Sequence, residues 1–144
     1  MTLHIRRQDY EAMRRYCEQD YPAEACGILL GKSVGDERSV TQVVPCRNAA
    51  SDSSRRYSID PGELIRVRRQ ARASGLEILG FYHSHPDHPA QPSPTDLEDA
   101  HWIGCSYVIA SVQQGQAAET RSFFLCGTRQ EDKSFVEETV TCAL

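Results

Sequence analysis

Two histidines separated by a single residue, His83 and His85, are the part of the sequence best suited to chemistry. Ser93 and Asp96 complete a span of fourteen residues that begins at His83, and Glu24 lies far upstream. Catalytic zinc usually takes three protein ligands of the His, Asp or Glu kind and keeps its fourth position for water. His83, His85 and Asp96 have that number and chemistry, which leaves Glu24 free to move protons.

The spacing of the two histidines suits a shared ion. Side chains two residues apart on an extended segment point to the same side, so His83 and His85 at the end of a strand can both contact one cation. Pro86 follows directly and stiffens the exit of that strand. A purely structural histidine pair is the alternative.

Ser93 and Asp96 have a competing explanation, because Ser-x-x-Asp resembles a capping box that is useful at the start of any helix. Asp96 lies eleven residues after His85, and the polar, turn-rich segment 86–92 between them can fold back toward the imidazoles. The two roles can coexist, since a capped helix start holds its first-turn side chains rigidly.

Glu24 stands at the mouth of an apolar run, residues 26–31. Most glutamates are solvated surface residues, but a carboxylate in this setting is partly desolvated. Its pKa then tends to rise toward the range that suits a general base. Cys26, two residues further on, offers a thiol nucleophile as an alternative, although its strand context favours packing.

The first half of the chain contains the elements that must position Glu24. A short strand is predicted over 2–6, followed by an amphipathic helix whose apolar residues recur at steps of three and four until Pro22 ends it. The run 26–31 is predicted to be a buried strand that pairs with 40–44.

The second half contains the elements that must position the histidines. Asp60-Pro61-Gly62-Glu63 supplies an N-cap, a first-turn proline and a capping-box glutamate, so a second helix is predicted to begin there and to stop at Gly75. The nearly continuous apolar run 76–82 indicates a central strand that delivers His83. Ser93 begins a third helix that Gly104 can end, and strands are predicted over 107–112, 120–126 and 135–140. The order is mixed α/β.

The bulk composition bounds the function. A chain of 144 residues suits one domain, taken here as residues 1–144, and 40% hydrophobic with 25% charged residues is typical of a globular protein. The mean hydropathy of -0.51 and the lack of a long apolar stretch argue against a membrane protein. The net charge of -4 gives no reason to expect nucleic acid as a partner.

The sequence also bears on the cellular location and on the state of the cysteines. Residues 1–7 lack the apolar segment of a secretory signal, which favours a cytoplasmic protein. The six cysteines form no CxxC pair, so they are expected to be buried thiols and not a disulfide frame.

One local run of positive charge departs from the acidic average. Arg66, Arg68, Arg69 and Arg72 lie in the predicted second helix, where helical spacing gathers several of them on one surface. A solvated helix face explains them. A docking surface for an acidic protein partner is the alternative.

The pattern as a whole resembles a known family. Glu24, then His83-x-His85, seven residues, Ser93, two residues and Asp96 resemble the JAMM (MPN+) metallopeptidase motif of the Mov34/JAB1 family. That family includes zinc-dependent deubiquitinating enzymes and small bacterial and archaeal relatives. The similarity extends over nearly the whole chain, through residues 21–27, 57–61, 79–86 and 92–96.

The resemblance implies a cytidine-deaminase-like α/β fold, with a mixed β-sheet flanked by helices. It implies one zinc ion with a bound water, held by His83, His85 and Asp96. Glu24 would orient and deprotonate the water and later pass the proton to the leaving amine. Ser93 would hydrogen-bond the developing oxyanion.

The resemblance also implies a substrate class. The stretches between the motif elements are short for the inserted loops by which eukaryotic deubiquitinases of the family grip a second ubiquitin, so selectivity for a polyubiquitin linkage is not expected. The chain is similar to compact prokaryotic enzymes that trim or release the C-terminus of ubiquitin-like sulfur-carrier proteins, including adducts with cysteine. Hydrolysis of the peptide or isopeptide bond after a C-terminal Gly-Gly is therefore expected, with the tail extended along a sheet edge.

Three other functions compete with this expectation. A non-catalytic MPN-type interaction scaffold is disfavoured by the complete ligand set. Zinc nucleobase deamination needs His-x-Glu and Pro-Cys-x-x-Cys, whereas Pro45-Cys46-Arg47-Asn48 lacks the second cysteine. A DNA-repair-associated branch of the superfamily is disfavoured by the acidic charge.

Overall fold

The computed structural model describes residues 1–143 of the chain. The strands are β1 (Thr2–Arg6), β2 (Cys26–Val34), β3 (Glu37–Cys46), β4 (Glu77–Pro86), β5 (Ser106–Gln113), β6 (Gln116–Cys126) and β7 (Ser134–Ala143). The helices are α1 (Arg7–Asp20), α2 (Pro61–Ala73) and α3 (Pro94–Asp99). None of the helices in this part of the chain has the length and apolarity needed to span a membrane.

The strands form one mixed sheet that closes into a barrel in the order β1-β3-β2-β4-β5-β6-β7. β1 runs parallel to both β3 and β7, and β4 runs parallel to β5, while the remaining pairs are antiparallel. The predicted mixed α/β class is confirmed. The closure was not predicted: β1 pairs with the first part of β3 and the last part of β7, so each strand has two neighbours.

β4 lies in the middle of this sheet, between β2 and β5. Its register with β5 brings the backbones close at Gly80, where an added Cβ would lie 2.1 Å from the carbonyl oxygen of Ser106. Glycine at this position therefore permits the close approach of the two strands. As predicted, β4 is buried on both faces.

Two hydrophobic cores flank the sheet. α1 contributes Met13 and Cys17 to the first core, and α2 contributes Val67 and Ala71 to the second. The first core also contains Leu3, Ile5, Leu29, Val40 and Val108, and the second also contains Ile28, Leu30, Phe81, Tyr107 and Leu125. The periodic apolar positions of α1 and α2 are thus the positions that pack on the sheet.

A buried ion pair connects four strands. The Arg38 guanidinium on β3 lies 2.5 Å from the Glu138 carboxylate on β7. Ser106 on β5 and Ser122 on β6 both donate hydroxyl hydrogen bonds to the same carboxylate, the latter at 2.7 Å. Because the two buried charges are paired, each compensates for the hydration that the other has lost.

α3 is shorter than the sequence predicted, since it ends at Asp99 and not near Gly104. Lys133, in the connection between β6 and β7, donates from Nζ to the carbonyls of Glu98 and Ala100 at 3.0 and 2.6 Å. These bonds satisfy carbonyls at the end of the helix, so the chain can turn away there. Gly104 lies in that turn with a φ of 91°.

All six cysteines are free thiols. Cys17, Cys26, Cys46 and Cys105 are buried, as predicted, whereas Cys126 and Cys142 are only partly buried.

Candidate metal centre

His83 and His85 lie inside β4, close to its end, and both are buried. Their Nε2 atoms are 3.2 Å apart, as expected for side chains two residues apart on one side of a strand. Because β2 and β5 flank β4, the backbone that carries the pair is held on both sides.

Asp96 reaches the histidines from the first turn of α3. The capping box predicted from the sequence is present: Ser93 Oγ accepts from the Asp96 amide at 3.0 Å, and the Ser93 amide donates to Asp96 Oδ2 at 2.9 Å. Asp96 Oδ2 also lies 3.0 Å from His85 Nε2, and Oδ1 lies 3.4 Å from His83 Nε2. The helix cap thus fixes the carboxylate where it faces both imidazoles.

The separations within this trio suit a metal ion. Zinc ligands lie roughly 2.0–2.2 Å from the ion, so two of them in a tetrahedral arrangement are about 3.3 Å apart. The three distances among His83, His85 and Asp96 fall between 3.0 and 3.4 Å. These residues form a group able to hold a metal ion, with the chemistry expected of zinc ligands.

Two further contacts orient the imidazoles. His85 Nδ1 donates to the Pro89 carbonyl at 2.9 Å, which leaves Nε2 as the atom that faces Asp96. The ring of Tyr57 stacks on His83 with centroids 4.4 Å apart and planes inclined by 20°. Sequence reasoning gave Tyr57 no role in the site, since nothing local to residue 57 indicates that its loop folds over β4.

The electrostatics favour the cation-binding protonation state of Asp96 and His83, but not of His85. Burial raises the pKa of Asp96, but hydrogen bonds with His83 and His85 outweigh it and hold that pKa well below its usual range. Burial lowers the pKa of His83 more than its contact with Asp96 raises it. Burial also acts to lower the pKa of His85, but bonding to Asp96 and Pro89 outweighs it, and the net direction is upward. Near neutral pH, Asp96 is therefore a carboxylate and His83 a neutral imidazole.

Glu24 lies beside the trio. The Ala25 amide donates to Ser84 Oγ at 2.8 Å and the Ser84 amide donates to the Ala25 carbonyl at 3.1 Å, while Cys26 is the register partner of His83. Glu24 is 5% exposed, and its Oε1 is buried with no hydrogen-bond partner among residues 1–143. Burial raises the pKa of Glu24 to about 7, as suits a general base at neutral pH.

The loop between β3 and α2 holds the backbone of Glu24 on both sides. The Glu24 amide donates to the Ser53 carbonyl at 2.7 Å, and Asn48 Nδ2 donates to the Glu24 carbonyl at 3.0 Å. Asn48 Nδ2 also donates to the Arg56 carbonyl, and its Oδ1 accepts from two amides of the same loop. The sequence of residues 48–56 is polar and carries no signal that singles out Asn48, so its contact with Glu24 was not predicted.

A cavity of about 480 Å³ lies near the trio, although none of the three residues lines it. Tyr57, which stacks on His83, forms part of its wall, and the Arg56–Asp99 ion pair at 2.8 Å joins two lining residues from different segments. Aromatic and apolar side chains from the loop, α2 and the sheet complete much of the lining, among them Ile59, Leu64, Phe81, Trp102 and Tyr107. The wall therefore combines aromatic and apolar side chains with a few charged groups, which is the lining typical of a binding site.

The remaining candidate residues do not join this group. Burial raises the pKa of the Cys26 thiol to about 12, which suppresses the thiolate that nucleophilic chemistry needs. His88 and His101 are exposed.

Comparison with known proteins identifies the family of the chain. The family model described as prokaryotic homologs of the JAB domain matches residues 6–126. The chain is 33% identical over 139 residues to the CysO-cysteine peptidase of Mycobacterium tuberculosis, covering 96% of this chain and 90% of that protein. It is 42% identical over 92 residues to the desampylase of Haloferax volcanii, covering 64% of this chain and 65% of that protein. The match thus spans just under two thirds of the desampylase.

The fold also matches a solved structure. A solution structure of a protein from Desulfitobacterium hafniense superposes with a TM-score of 0.82 at 31% sequence identity. The superposition covers 96% of this chain and 90% of that protein.

Proposed function

Because this chain belongs to the family of prokaryotic homologs of the JAB domain, we propose that it is a zinc-dependent metallopeptidase. We propose that it hydrolyses the peptide or isopeptide bond after the C-terminal Gly-Gly of a ubiquitin-like or sulfur-carrier protein. The observation that carries this proposal is the convergence of His83, His85 and Asp96 next to the buried carboxyl of Glu24.

In this proposal zinc is held by His83 and His85 through Nε2 and by the Asp96 carboxylate. The separations of 3.0 to 3.4 Å among these atoms and the hydrogen bond from His85 to Pro89 support the assignment. When bound, zinc supplies Lewis acidity and lowers the pKa of water toward about 7.

Glu24 takes the proton of the attacking water and passes it to the leaving nitrogen. A pKa of about 7 lets the carboxyl accept and release a proton near neutral pH. Its buried Oε1, without a partner in the described part of the chain, is available to bind water. Asn48 and Ser53 hold the Glu24 backbone, so the carboxyl is positioned before substrate arrives.

Ser93 stabilises the oxyanion of the tetrahedral intermediate. Its oxygen accepts a hydrogen bond from the Asp96 amide, which leaves the hydroxyl hydrogen free to be donated. A donor aimed at charge that develops only during the reaction lowers the barrier without tightening substrate binding equally.

The names of the relatives support the substrate class. One is named for the adduct of CysO with cysteine, and another is named as a desampylase. Each of the seven strands has two neighbours, but β1 pairs with β3 only over residues 37–40, so in the described part of the chain residues 41–46 of β3 have no partner strand on that side. The cavity whose wall includes Tyr57 is a second possible path for the tail, and we place the tail there because Tyr57 stacks on His83.

The interaction-scaffold alternative is not favoured. A scaffold needs neither three convergent ligands nor a buried carboxyl with an unpartnered oxygen, and burying such a group costs stability.

Metal analysis and intact-mass assay of one set of proteins test the proposal. We expect purified protein to hold about one zinc per chain and to release cysteine from CysO-cysteine. His83→Ala should lose both zinc and hydrolysis, whereas His88→Ala, an exposed histidine in the neighbouring loop, should lose neither. Full hydrolysis by protein stripped of metal would contradict the proposal.

A further inference from the structure

The outward flank of α2 carries a compact group of positive charge. Val67 and Ala71 face the core, and Ile65, Arg68, Arg69 and Arg72 are exposed at positions i, i+3, i+4 and i+7 of the helix. Residues at this spacing are neighbours on a helix surface. We call these four residues the arginine patch.

The charges of the arginine patch are unpaired. Within residues 1–143, Arg68, Arg69 and Arg72 form neither salt bridges nor side-chain hydrogen bonds. Arg66, on the same helix but outside the patch, is paired with Glu63 at 3.3 Å. In a chain with a net charge of -4, three neighbouring guanidinium groups without an acidic partner reverse the local sign of the surface.

An apolar side chain lies among these charges. Ile65 is 53% exposed and is adjacent along the helix face to Arg68 and Arg69. A surface that combines an exposed aliphatic group with arginine is typical of protein interfaces, where arginine is enriched. Binding to the phosphate backbone of nucleic acid, by contrast, depends mainly on positive charge and does not need an exposed aliphatic side chain.

The arginine patch borders the cavity beside the metal centre. The Arg68 guanidinium carbon lies 5.7 Å from the centre of the Trp102 ring, and Trp102 lines the cavity. Tyr57, another lining residue, stacks on His83. A protein bound to the patch can therefore extend a tail through the cavity toward the histidines.

We propose that the arginine patch binds an acidic face on the folded body of the carrier protein whose tail is cleaved, an inference that rests on the proposed function. The tail occupies the cavity while the body pairs with Arg68, Arg69 and Arg72 and packs on Ile65. Such complementarity raises the rate of encounter and selects acidic carriers over neutral ones.

The test compares an intact carrier with its isolated tail. Arg69→Glu/Arg72→Glu reverses two patch charges without touching Arg68, which packs on Trp102. Arg15→Glu/Lys32→Glu makes the same change of net charge at two exposed cations that have no ion pair in the described part of the chain, and it is the matched control. The substrates are CysO carrying a C-terminal cysteine and a peptide of the same final residues.

We expect the patch variant to raise KM for the CysO substrate by about tenfold or more relative to its KM for the peptide. The control variant should keep the ratio of the two KM values found for the natural chain. At about 0.5 M salt, that ratio should rise in the natural chain toward the value of the patch variant, because salt screens the charges. Equal changes in KM for both substrates, or equal behaviour of the patch and control variants, would overturn the inference.

Direct binding separates this inference from the proposed function. If the natural chain with zinc cleaves neither substrate, the proposed function fails. Calorimetry with CysO still tests the arginine patch in that case. Weaker binding of CysO to the patch variant than to the control variant supports the inference, and equal binding rejects it. Labelled duplex DNA that binds the natural chain more tightly than CysO does, and is released by the patch variant, would show that the partner is nucleic acid.

Discussion

Asn48 and Glu24 are joined by a hydrogen bond of 3.0 Å, from the side-chain amide of Asn48 to the backbone carbonyl of the glutamate. The same amide group bridges to the Arg56 carbonyl at 2.9 Å, so one side chain connects the loop to the strand entrance that carries the proposed general base. The position of the Glu24 carboxyl therefore depends on a residue that does not itself touch the metal ligands.

Asn48→Ala should lower kcat by about 10- to 100-fold, because small displacements of a catalytic group are costly. Zinc content should remain unchanged, and the pH profile of kcat/KM should shift as Glu24 becomes more hydrated. Ser54→Ala, a change at an exposed position of the same loop that does not line the cavity, is the control. If Asn48→Ala kept the kcat and the pH profile of the natural chain, Asn48 would not be needed to position Glu24.

Glu24→Gln should keep zinc and the fold but lose turnover by about two to four orders of magnitude, since it removes the proton carrier and none of the ligands. Steady-state hydrolysis together with metal analysis of the same sample measures this. Glu98→Gln, a change of the same kind at an exposed position of α3, should be silent. Hydrolysis at the natural rate by Glu24→Gln would contradict the assignment.

Glu24 should also make the metal-free protein less stable as pH rises. Burial raises its pKa from 4.5 to about 7 in the folded state, so the folded protein binds the proton more tightly than the unfolded chain does. Stability is therefore lost as pH rises from the unfolded pKa through the folded pKa, by up to about 3 kcal/mol above pH 7.

Glu24→Gln removes that cost. Thermal melts without metal should show the variant more stable than the natural chain at pH 8, with little difference near pH 4.5. A stability gain of the same size at both pH values would show that ionisation of Glu24 is not its cause.

Tyr57 should support metal affinity through its stack on His83. Tyr57→Ala is expected to weaken zinc binding by about 10- to 100-fold, since groups that orient a ligand contribute that much to metal affinity. Tyr57→Phe keeps the ring and should keep the affinity. Competition with a chromogenic chelator measures both variants, and unchanged affinity in Tyr57→Ala would assign the residue to the cavity wall alone.

The Arg38–Glu138 pair should matter for stability and not for chemistry. Removing one partner with Glu138→Leu leaves a buried guanidinium unpaired and should cost about 3–5 kcal/mol in unfolding free energy. Arg38→Met/Glu138→Leu removes both charges and should recover much of that loss. Denaturant titration measures the two variants; a double variant no more stable than the single one would show that packing, not charge, sets the cost.

Local pattern, together with the family resemblance, was sufficient to select candidate residues that the structure brings close together, and their roles stay predictions. The alternation of a strand places His83 and His85 on one side, and the Ser93–Asp96 cap is decided by four consecutive residues. Glu24 could be found because it begins an apolar run. Each of these features depends on neighbours in the chain, and the structure brings the residues together.

Long-range contacts account for what the sequence did not predict. Leu3 pairs with both Arg38 and Val140, which closes the barrel, and no pattern near residue 3 encodes those partners. The early end of α3 depends on Lys133, more than thirty residues later. Tyr57 and Asn48 act from an irregular loop whose path is fixed only when it folds against β2 and β4.

The Asp96 carboxylate both caps α3 and faces the two imidazoles. A glutamate at that position could still accept from the Ser93 amide, as the third residue of a capping box commonly does, but its extra methylene would move the carboxylate relative to the two imidazoles. Charge alone is therefore a poor guide to which replacements the centre tolerates. Anyone transplanting this centre into another scaffold must carry the opening turn of α3 along with the strand, because the third ligand is presented by that turn's own hydrogen bonds.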